Sequence, residues 1–176
     1  KTTDDGRGVY ARHTWKNRID VVDKKFLDKL TRTAFDLRFK RLLEFENKDV
    51  KAISMNIAGK NMEIERYGAA GNFWRIVRPE KRNLNSTHVF SFLWALNDLE
   101  FKEVISDDKK NIPSDAFESP QLTVRLILNN ETTPGTLVIG KEIPEKKGLV
   151  YCRVEDKPMV VAVDPGVIAK AKKAVE

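Results

Sequence analysis

The sequence is poor in the residues that most often carry chemistry. Its 176 residues include one cysteine and two histidines. The single cysteine, Cys152, excludes an internal disulfide and leaves the redox compartment undetermined. His13 and His88 are far apart in sequence, and neither has a second histidine or a cysteine at metal-ligand spacing. We therefore predict no metal site and no cofactor.

Long apolar runs are also missing. No stretch approaches the roughly 18 residues of a membrane span. The first residue is Lys1 rather than methionine, so we expect the sequence to be a piece of a longer protein, with any targeting segment outside it. With 41% hydrophobic residues, the chain can still bury an ordinary core without metals or disulfides.

Motifs for nucleotide binding and nucleophilic catalysis are absent. The sequence contains no phosphate-binding P-loop, no dinucleotide fingerprint and no serine in a G-x-S-x-G turn. Gly68-Ala69-Ala70-Gly71 resembles a glycine-rich loop, but it joins two predicted strands and opens no helix, so we interpret it as a turn. Asp4-Asp5 and Asp107-Asp108 lie in polar segments where water solvates both carboxylates. We predict a protein that is not an enzyme.

The charge of the chain is positive, at +6 with an isoelectric point near 9.4. Lysines and arginines are nevertheless interspersed with acidic residues, and the densest basic stretch, Arg38-Phe39-Lys40-Arg41, is short. A nucleic-acid partner is therefore not expected. A binding module for another polyanion or a small ligand, through a basic surface that contains an aromatic residue, remains an alternative.

Alternating apolar residues predict short strands grouped into meanders that are closed by helices. We expect helices over 24–33, from Asn85 through Leu96, and from Pro165 onward, with polar caps at Asp23, Asn85 and Asp164. Strands are predicted over 9–14, 18–23, 50–57, 61–67, 72–78, 99–105, 121–128, 136–140, 149–154 and 159–164. This pattern favours an α+β fold with a mainly antiparallel sheet built from β-meander-plus-helix units.

The beginning of the chain resembles its end. Val9-Tyr10-Ala11-Arg12 reappears as Val150-Tyr151-Cys152-Arg153, so that each residue stands 141 positions before its counterpart, as 10 does before 151. Repetition of this kind indicates an internally repeated architecture. We predict that residues 1–49 form the strand-strand-helix tail of a preceding repeat plus a connection. Residues 50–176 would form a full meander-helix-meander-helix repeat, packed with the first part as one compact domain.

The three tryptophans receive different interpretations. Trp74 lies in a predicted strand and Trp94 on a predicted helix face, and we expect both in the core. Trp15 lies at a predicted hairpin turn beside Lys16 and Arg18, where a large exposed aromatic residue indicates a contact surface. Trp15, Lys16 and Arg18 therefore form the candidate contact surface.

A succession of short motifs runs through the second part of the chain. It comprises a Trp-x-x-x-x-Pro strand end from Trp74 to Pro79, a strand led by Pro120, a hydrophobic-Ile-Gly strand end at Gly140, and a Tyr-x-Arg strand with Tyr151 and Arg153. In this order the motifs resemble an uncharacterised bacterial domain family. One departure is visible, because Asp115-Ala116-Phe117 stands where that family often has Tyr-Gly-Leu.

The resemblance implies a cellular context. Many proteins of that family occur beside gliding-motility-type ABC transporter components, anchored by an N-terminal membrane segment with their repeats outside the cytoplasmic membrane. The implied function is that of a non-enzymatic, extracytoplasmic interaction or scaffold domain of a membrane-anchored protein, accessory to an ABC-type transport or gliding and surface-assembly system. Its partners would be proteins at the membrane. The family supplies no catalytic residues that could be transferred to this chain.

Overall fold

A computed structural model describes residues 2–12, 15, 18–26, 40–68, 71–108 and 112–176. The chain divides into two compact units, residues 1–39 and 40–176. The predictions made for residues 27–39, together with those for His13 and Lys16, lie outside the described residues.

The first unit contains a β-hairpin followed by the start of a helix. Strands β1 (Gly8–Arg12) and β2 (Ile19–Asp23) pair antiparallel, with Val9 opposite Val22 and Tyr10 opposite Val21. Residues 24–26 are helical. The Asp23 carboxylate accepts a hydrogen bond from the backbone N–H of Lys25 at 2.8 Å and so caps the first turn.

The second unit is built on one nine-stranded sheet. Its strands are β3 (Val50–Ile57), β4 (Lys60–Tyr67), β5 (Phe73–Arg78), β6 (Arg82–Leu84), β7 (Glu103–Ser106), β8 (Leu122–Leu128), β9 (Thr136–Glu142), β10 (Val150–Val154) and β11 (Val160–Val163). Their order across the sheet is β6-β5-β4-β3-β8-β9-β10-β11-β7, and all neighbours pair antiparallel. The predicted α+β class with a mainly antiparallel sheet is confirmed.

Two meanders join at the centre of this sheet. The hairpin between β3 and β4 turns at Ala58 and Gly59, both with positive φ, which is the backbone that a tight two-residue turn requires. The pairing of β3 with β8, from Val50 opposite Leu128 to Ile57 opposite Leu122, then connects the first meander to the second. Apolar residues alternate along these strands because one side of each strand enters the core.

Two helices pack against each other and complete the core. Helix α1 (Ser86–Asn97) begins at Asn85, whose side chain accepts a hydrogen bond from the N–H of Thr87 at 3.0 Å. Helix α2 (Gly166–Ala174) follows Asp164. The buried residues of the two helices recur at helical spacing: Val89, Phe92, Leu93 and Leu96 in α1, and Val167, Ile168, Ala171 and Ala174 in α2. No described helix has the length and apolar character needed to cross a membrane.

The structure differs from the sequence predictions at three places in this unit. The prediction of Trp94 in the core was wrong, since Trp94 is 58% exposed because it lies beside the apolar stripe of α1 and not on it. The edge strand β6 was not predicted, because it is formed by pairing with β5 rather than by an apolar pattern. The short 3-10 helix Ser114–Phe117, with Ala116 fully buried, was not predicted either.

The edge of the sheet at β6 is tied to the end of α2. The Arg82 guanidinium donates hydrogen bonds to the backbone carbonyls of Val175 and Glu176, the latter at 2.8 Å. Strand β6 itself has three residues. The edge strand is therefore short, carries a charge and is held from the side.

Candidate functional site

The residues best suited to catalysis do not form a site in the described parts of the chain. Cys152 is completely buried, and its burial raises the pKa of the thiol, which keeps it protonated and unreactive. His88 lies half-buried in the first turn of α1. Within the described residues, no group of three or more His, Cys, Asp or Glu side chains could hold a metal ion.

Among the described residues, two carboxyl groups have shifted pKa values, and both shift downward. The side chain of Lys141 hydrogen-bonds Asp115 at 2.5 Å and lowers its pKa. The hydroxyl of Thr3 and the backbone N–H of Arg7 bind Asp5 and lower its pKa as well. A general acid at neutral pH needs a raised pKa, so these two exposed carboxylates do not indicate acid–base catalysis.

Several basic side chains on the surface form ion pairs with acidic ones. The described ion pairs are Arg18–Asp20, Arg41–Asp98, Lys48–Glu46, Lys51–Glu131, Arg75–Glu65, Arg78–Glu63, Lys141–Asp115 and Lys146–Glu103. Each pair neutralises charge locally, and such exposed pairs contribute little stability. These pairs lower the positive potential around them, while the net charge of the chain stays at +6.

The hairpin of the first unit exposes apolar side chains. Trp15 is 87% exposed, at the turn between β1 and β2. Arg18 is exposed, and its guanidinium binds Asp20 at 2.6 Å, while Lys16 lies outside the described residues. Tyr10 opposes Val21 across the hairpin and is likewise exposed, so the exposed aromatic character extends beyond the turn.

One face of the β1–β2 hairpin is formed by Tyr10, Arg12, Ile19 and Val21, and we call it the hairpin face. Tyr10 lies opposite Val21, and Arg12 opposite Ile19, which places all four side chains on the same side of the two strands. Tyr10 is 47%, Ile19 66% and Val21 60% exposed. Clustered exposure of large apolar side chains is typical of a surface that contacts a protein, a membrane or a ligand.

The hairpin β10–β11 has the same register as β1–β2. Val150 lies opposite Val163 and Tyr151 opposite Ala162, as Val9 and Tyr10 lie opposite Val22 and Val21, with every residue again 141 positions later. The carboxylate of Asp164 accepts from the N–H of Gly166 at 2.7 Å, as that of Asp23 accepts from Lys25. The two hairpins thus share pairing, following helix and helix cap.

Burial distinguishes these two hairpins. The residues at the positions of Tyr10, Ile19 and Val21 are Tyr151, Val160 and Ala162, and they are at most 6% exposed. They belong to a core group that we call the Tyr151 cluster, which comprises Ala116, Ile143, Tyr151, Val160 and Ala162, with Ile105, Ile112, Phe117 and Leu149 packed against it. The face that is covered by other residues in β10–β11 is therefore exposed in β1–β2.

The cover over the Tyr151 cluster depends on a close backbone approach. A Cβ atom at Gly140 would lie 2.1 Å from the carbonyl oxygen of Ala116, so only glycine lets the 3-10 helix lie against β9. The ring of Phe117 then meets Tyr151 edge to face, with 6.3 Å between ring centroids. The guanidinium of Arg153 lies 4.6 Å from the centroid of Phe117. Gly140, Tyr151 and Arg153 thus position this cover.

The remaining motif residues are also structural. Trp74 is fully buried in β5 and meets the ring of Phe90 on α1 edge to face at 6.2 Å. Pro79 follows β5 after a cis peptide bond, and Pro120 lies two residues before β8. Sequence reasoning found these positions through their order along the chain.

One central residue was missed by the sequence analysis. The Arg66 guanidinium lies 5.5 Å from the ring centroids of both Trp74 and Phe90. It also donates hydrogen bonds to four backbone carbonyls, those of Asn47, Lys48, Val50 and Gly71. No local sequence signal separates this arginine from an exposed strand residue.

A protein-family model matches most of the chain. The model of a family described as a domain of unknown function (DUF4340) matches residues 1–72 and 74–174. No curated protein and no solved structure matches the chain. The match agrees with the expected uncharacterised family, and its description names no activity and no cellular context.

Proposed function

Since this chain belongs to the DUF4340 family of domains of unknown function, we propose a function from its surfaces. The chain acts as a non-enzymatic interaction or scaffold domain that is built from repeated meander-and-helix units. Its task is to hold other protein segments against preformed strand surfaces.

The exposed hairpin face carries this proposal. The same strand pairing and helix cap occur in β10–β11, where the corresponding face is covered by protein. Burying side chains such as Ile19 and Val21 contributes about 1.5–3 kcal/mol for each one that becomes fully buried. A preformed hairpin with this much apolar surface is suited to binding a protein segment and not to converting a substrate.

The repeated architecture is part of the proposal. Support comes from the constant separation of 141 positions, which holds for the paired residues of the hairpins and for the two capping aspartates, Asp23 and Asp164. Two unrelated hairpins would share a register only by coincidence, and a common helix cap after each would be a second coincidence. We infer that β1 and β2 close one unit and that β10 and β11 close the next.

The location is proposed from the sequence motifs. The succession from Trp74 to Arg153 resembles proteins that are anchored in the cytoplasmic membrane with their repeats outside it, and we place this domain there as an accessory of an ABC-type transport or surface-assembly system. Fusion of alkaline phosphatase to the end of the full-length protein tests the location. Activity of the phosphatase is expected, and an inactive enzyme in a well-expressed fusion would contradict this placement.

Photo-crosslinking tests the interaction. A photoreactive residue replaces Val21 in the full-length protein, in the cells that produce it, and a second variant carries it at Lys173, an exposed position on α2. We expect position 21 to crosslink to a protein segment efficiently and position 173 to do so weakly. Equal, low crosslinking at both positions would show that the hairpin face binds no protein, and the proposal would fail.

A further inference from the structure

The parts that cover the Tyr151 cluster come from one direction along the chain. They are contributed by Ile105 and by residues 112–117 and 143–149, and all of them precede β10. Strand β9, which pairs with the outer edge of β10, also precedes it. If β1 and β2 close an equivalent unit, then the segments that cover the hairpin face precede β1 in the same way.

The outer edge of β1 shows how such a segment would arrive. Thr2 forms an isolated antiparallel bridge with Val9, and the N–H of Thr3 donates to the carbonyl of Gly8 at 2.9 Å. In the second unit, Glu142 of β9 lies in the same way opposite Val150. Thr2 therefore stands beside β1 where the last residue of β9 stands beside β10.

The direction of the bridge fixes the path of the preceding residues. In an antiparallel pair, residues before Thr2 run past Tyr10 and then Arg12. The carbonyl of Gly8 points toward Thr3, and alternate residues of a strand point the same way, so the amides of Tyr10 and Arg12 also point to this edge. In the described residues, β1 has no strand beside it there, whereas β10 has β9.

We propose that the hairpin face and the outer edge of β1 bind the segment of the polypeptide immediately upstream of Lys1. A strand equivalent to β9 pairs with Arg12, and residues equivalent to the 3-10 helix Ser114–Phe117 cover Tyr10 and Val21. This assignment rests on the repeated architecture in the proposed function and names the occupant of its binding surface. The partner is thus a preceding unit of the same kind, joined in sequence.

Hydrogen exchange on two forms of the protein tests the proposal. The first is the chain of residues 1–176, and the second is the full-length protein with whatever precedes Lys1. We expect the amide of Arg12 to exchange at least about tenfold more slowly in the full-length protein, because it then donates to a neighbouring strand. The amide of Arg153 is the matched control, since β9 is present in both forms.

A substitution makes the test specific to the covered face. Val21→Asp places a charge where Ala162 is buried in the second hairpin. In the full-length protein it should return Arg12 to fast exchange, while in residues 1–176 it should leave exchange of β1 nearly unchanged, because Val21 is already exposed. Equal effects in both forms would show that the charge acts within the hairpin, and the assignment of an upstream cover would be wrong.

The crosslinking product from position 21 identifies the occupant. A crosslink to a peptide upstream of Lys1 supports the inference. A crosslink to a second copy of the chain or to a different protein overturns it but leaves the proposed interaction function intact. If no residues precede Lys1 in the full-length protein, the inference of an upstream cover is wrong as well. If position 21 forms no crosslink at all, both the inference and the proposed interaction function fail.

Discussion

Substitution of Gly140 by alanine tests the close approach that covers the Tyr151 cluster. In an extended strand, Gly→Ala normally stabilises a protein by about 0.4–1 kcal/mol, because it restricts the unfolded chain. Here the new Cβ atom would lie 2.1 Å from the backbone oxygen of Ala116 and 2.9 Å from Phe117. The two arguments predict opposite signs, so the sign of the measured change decides between them.

The magnitude follows from what must move. Real Cβ atoms essentially never come within 3.0 Å of such a neighbour, so the backbone at Ala116 must shift by about 1 Å. Overpacking in a well-packed core costs about 1–3 kcal/mol, and the upper end is expected because the obstacle is backbone and not a flexible side chain. We therefore expect Gly140→Ala to destabilise the second unit by about 2–3 kcal/mol.

Urea unfolding followed by tryptophan fluorescence measures this change. The signal reports mainly on Trp74, since Trp15 and Trp94 are already exposed in the folded protein. Hydrogen exchange then locates the effect, because the N–H of Ala116, which donates to Pro113 at 2.9 Å, should lose protection. An alanine variant as stable as the parent, or more stable, would refute the close contact between β9 and the 3-10 helix.

Gly148→Ala provides the matched control. Gly148 has a φ of +81°, and a Cβ atom there would meet nothing within 4 Å. Alanine at this position costs about 1–2 kcal/mol through its left-handed backbone alone. The Gly148→Ala variant should therefore lose stability while hydrogen exchange at the Ala116 amide stays unchanged. This difference from Gly140→Ala separates backbone strain from displacement of the 3-10 helix.

Two further predictions concern a half-buried arginine and a buried thiol. Arg66→Lys should lower the free energy of unfolding by about 1–3 kcal/mol, because a lysine side chain cannot hydrogen-bond four carbonyls and contact two rings at once. As a control, Arg75→Lys at an exposed ion pair should lower it by less than about 1 kcal/mol in the same urea titration. Cys152 should resist a thiol reagent at pH 8 until the chain unfolds. Burial raises the pKa of this thiol in the folded state. Its contribution to stability is therefore present below the unfolded pKa of 9.0 and is lost as pH rises above that value. A free energy of unfolding that does not change between pH 8 and 10, or rapid labelling of the folded protein, would contradict this prediction.

Local patterns predicted most elements of the second unit. Alternation along β3 and β8 and helical spacing in α1 report directly on which side of an element is buried, and that information is contained in a few neighbouring residues. Pairing partners are different, because the union of β3 with β8 joins segments about 70 positions apart and has no local signal. The same limit explains β6, which exists only because β5 lies beside it.

The candidate site was predictable only in part. Trp15 was identified as exposed because its turn is polar, whereas the alternating apolar pattern of Tyr10, Ile19 and Val21 is the same for a covered and an uncovered strand. Burial of the corresponding residues in β10–β11 supplied the comparison that the pattern lacks. The repeated Val-Tyr-x-Arg sequence could have indicated the hairpin face, since it pairs Tyr10 with Tyr151.

The clamp of Arg82 on the end of α2 has a consequence for behaviour at high concentration. Open strand edges recruit strands from other molecules and begin aggregation. A three-residue edge strand with a charged side chain turned toward helix carbonyls offers a poor surface for such recruitment. The β6 edge therefore disfavours pairing with strands of other molecules. When intermolecular strand pairing occurs, it should begin at another edge.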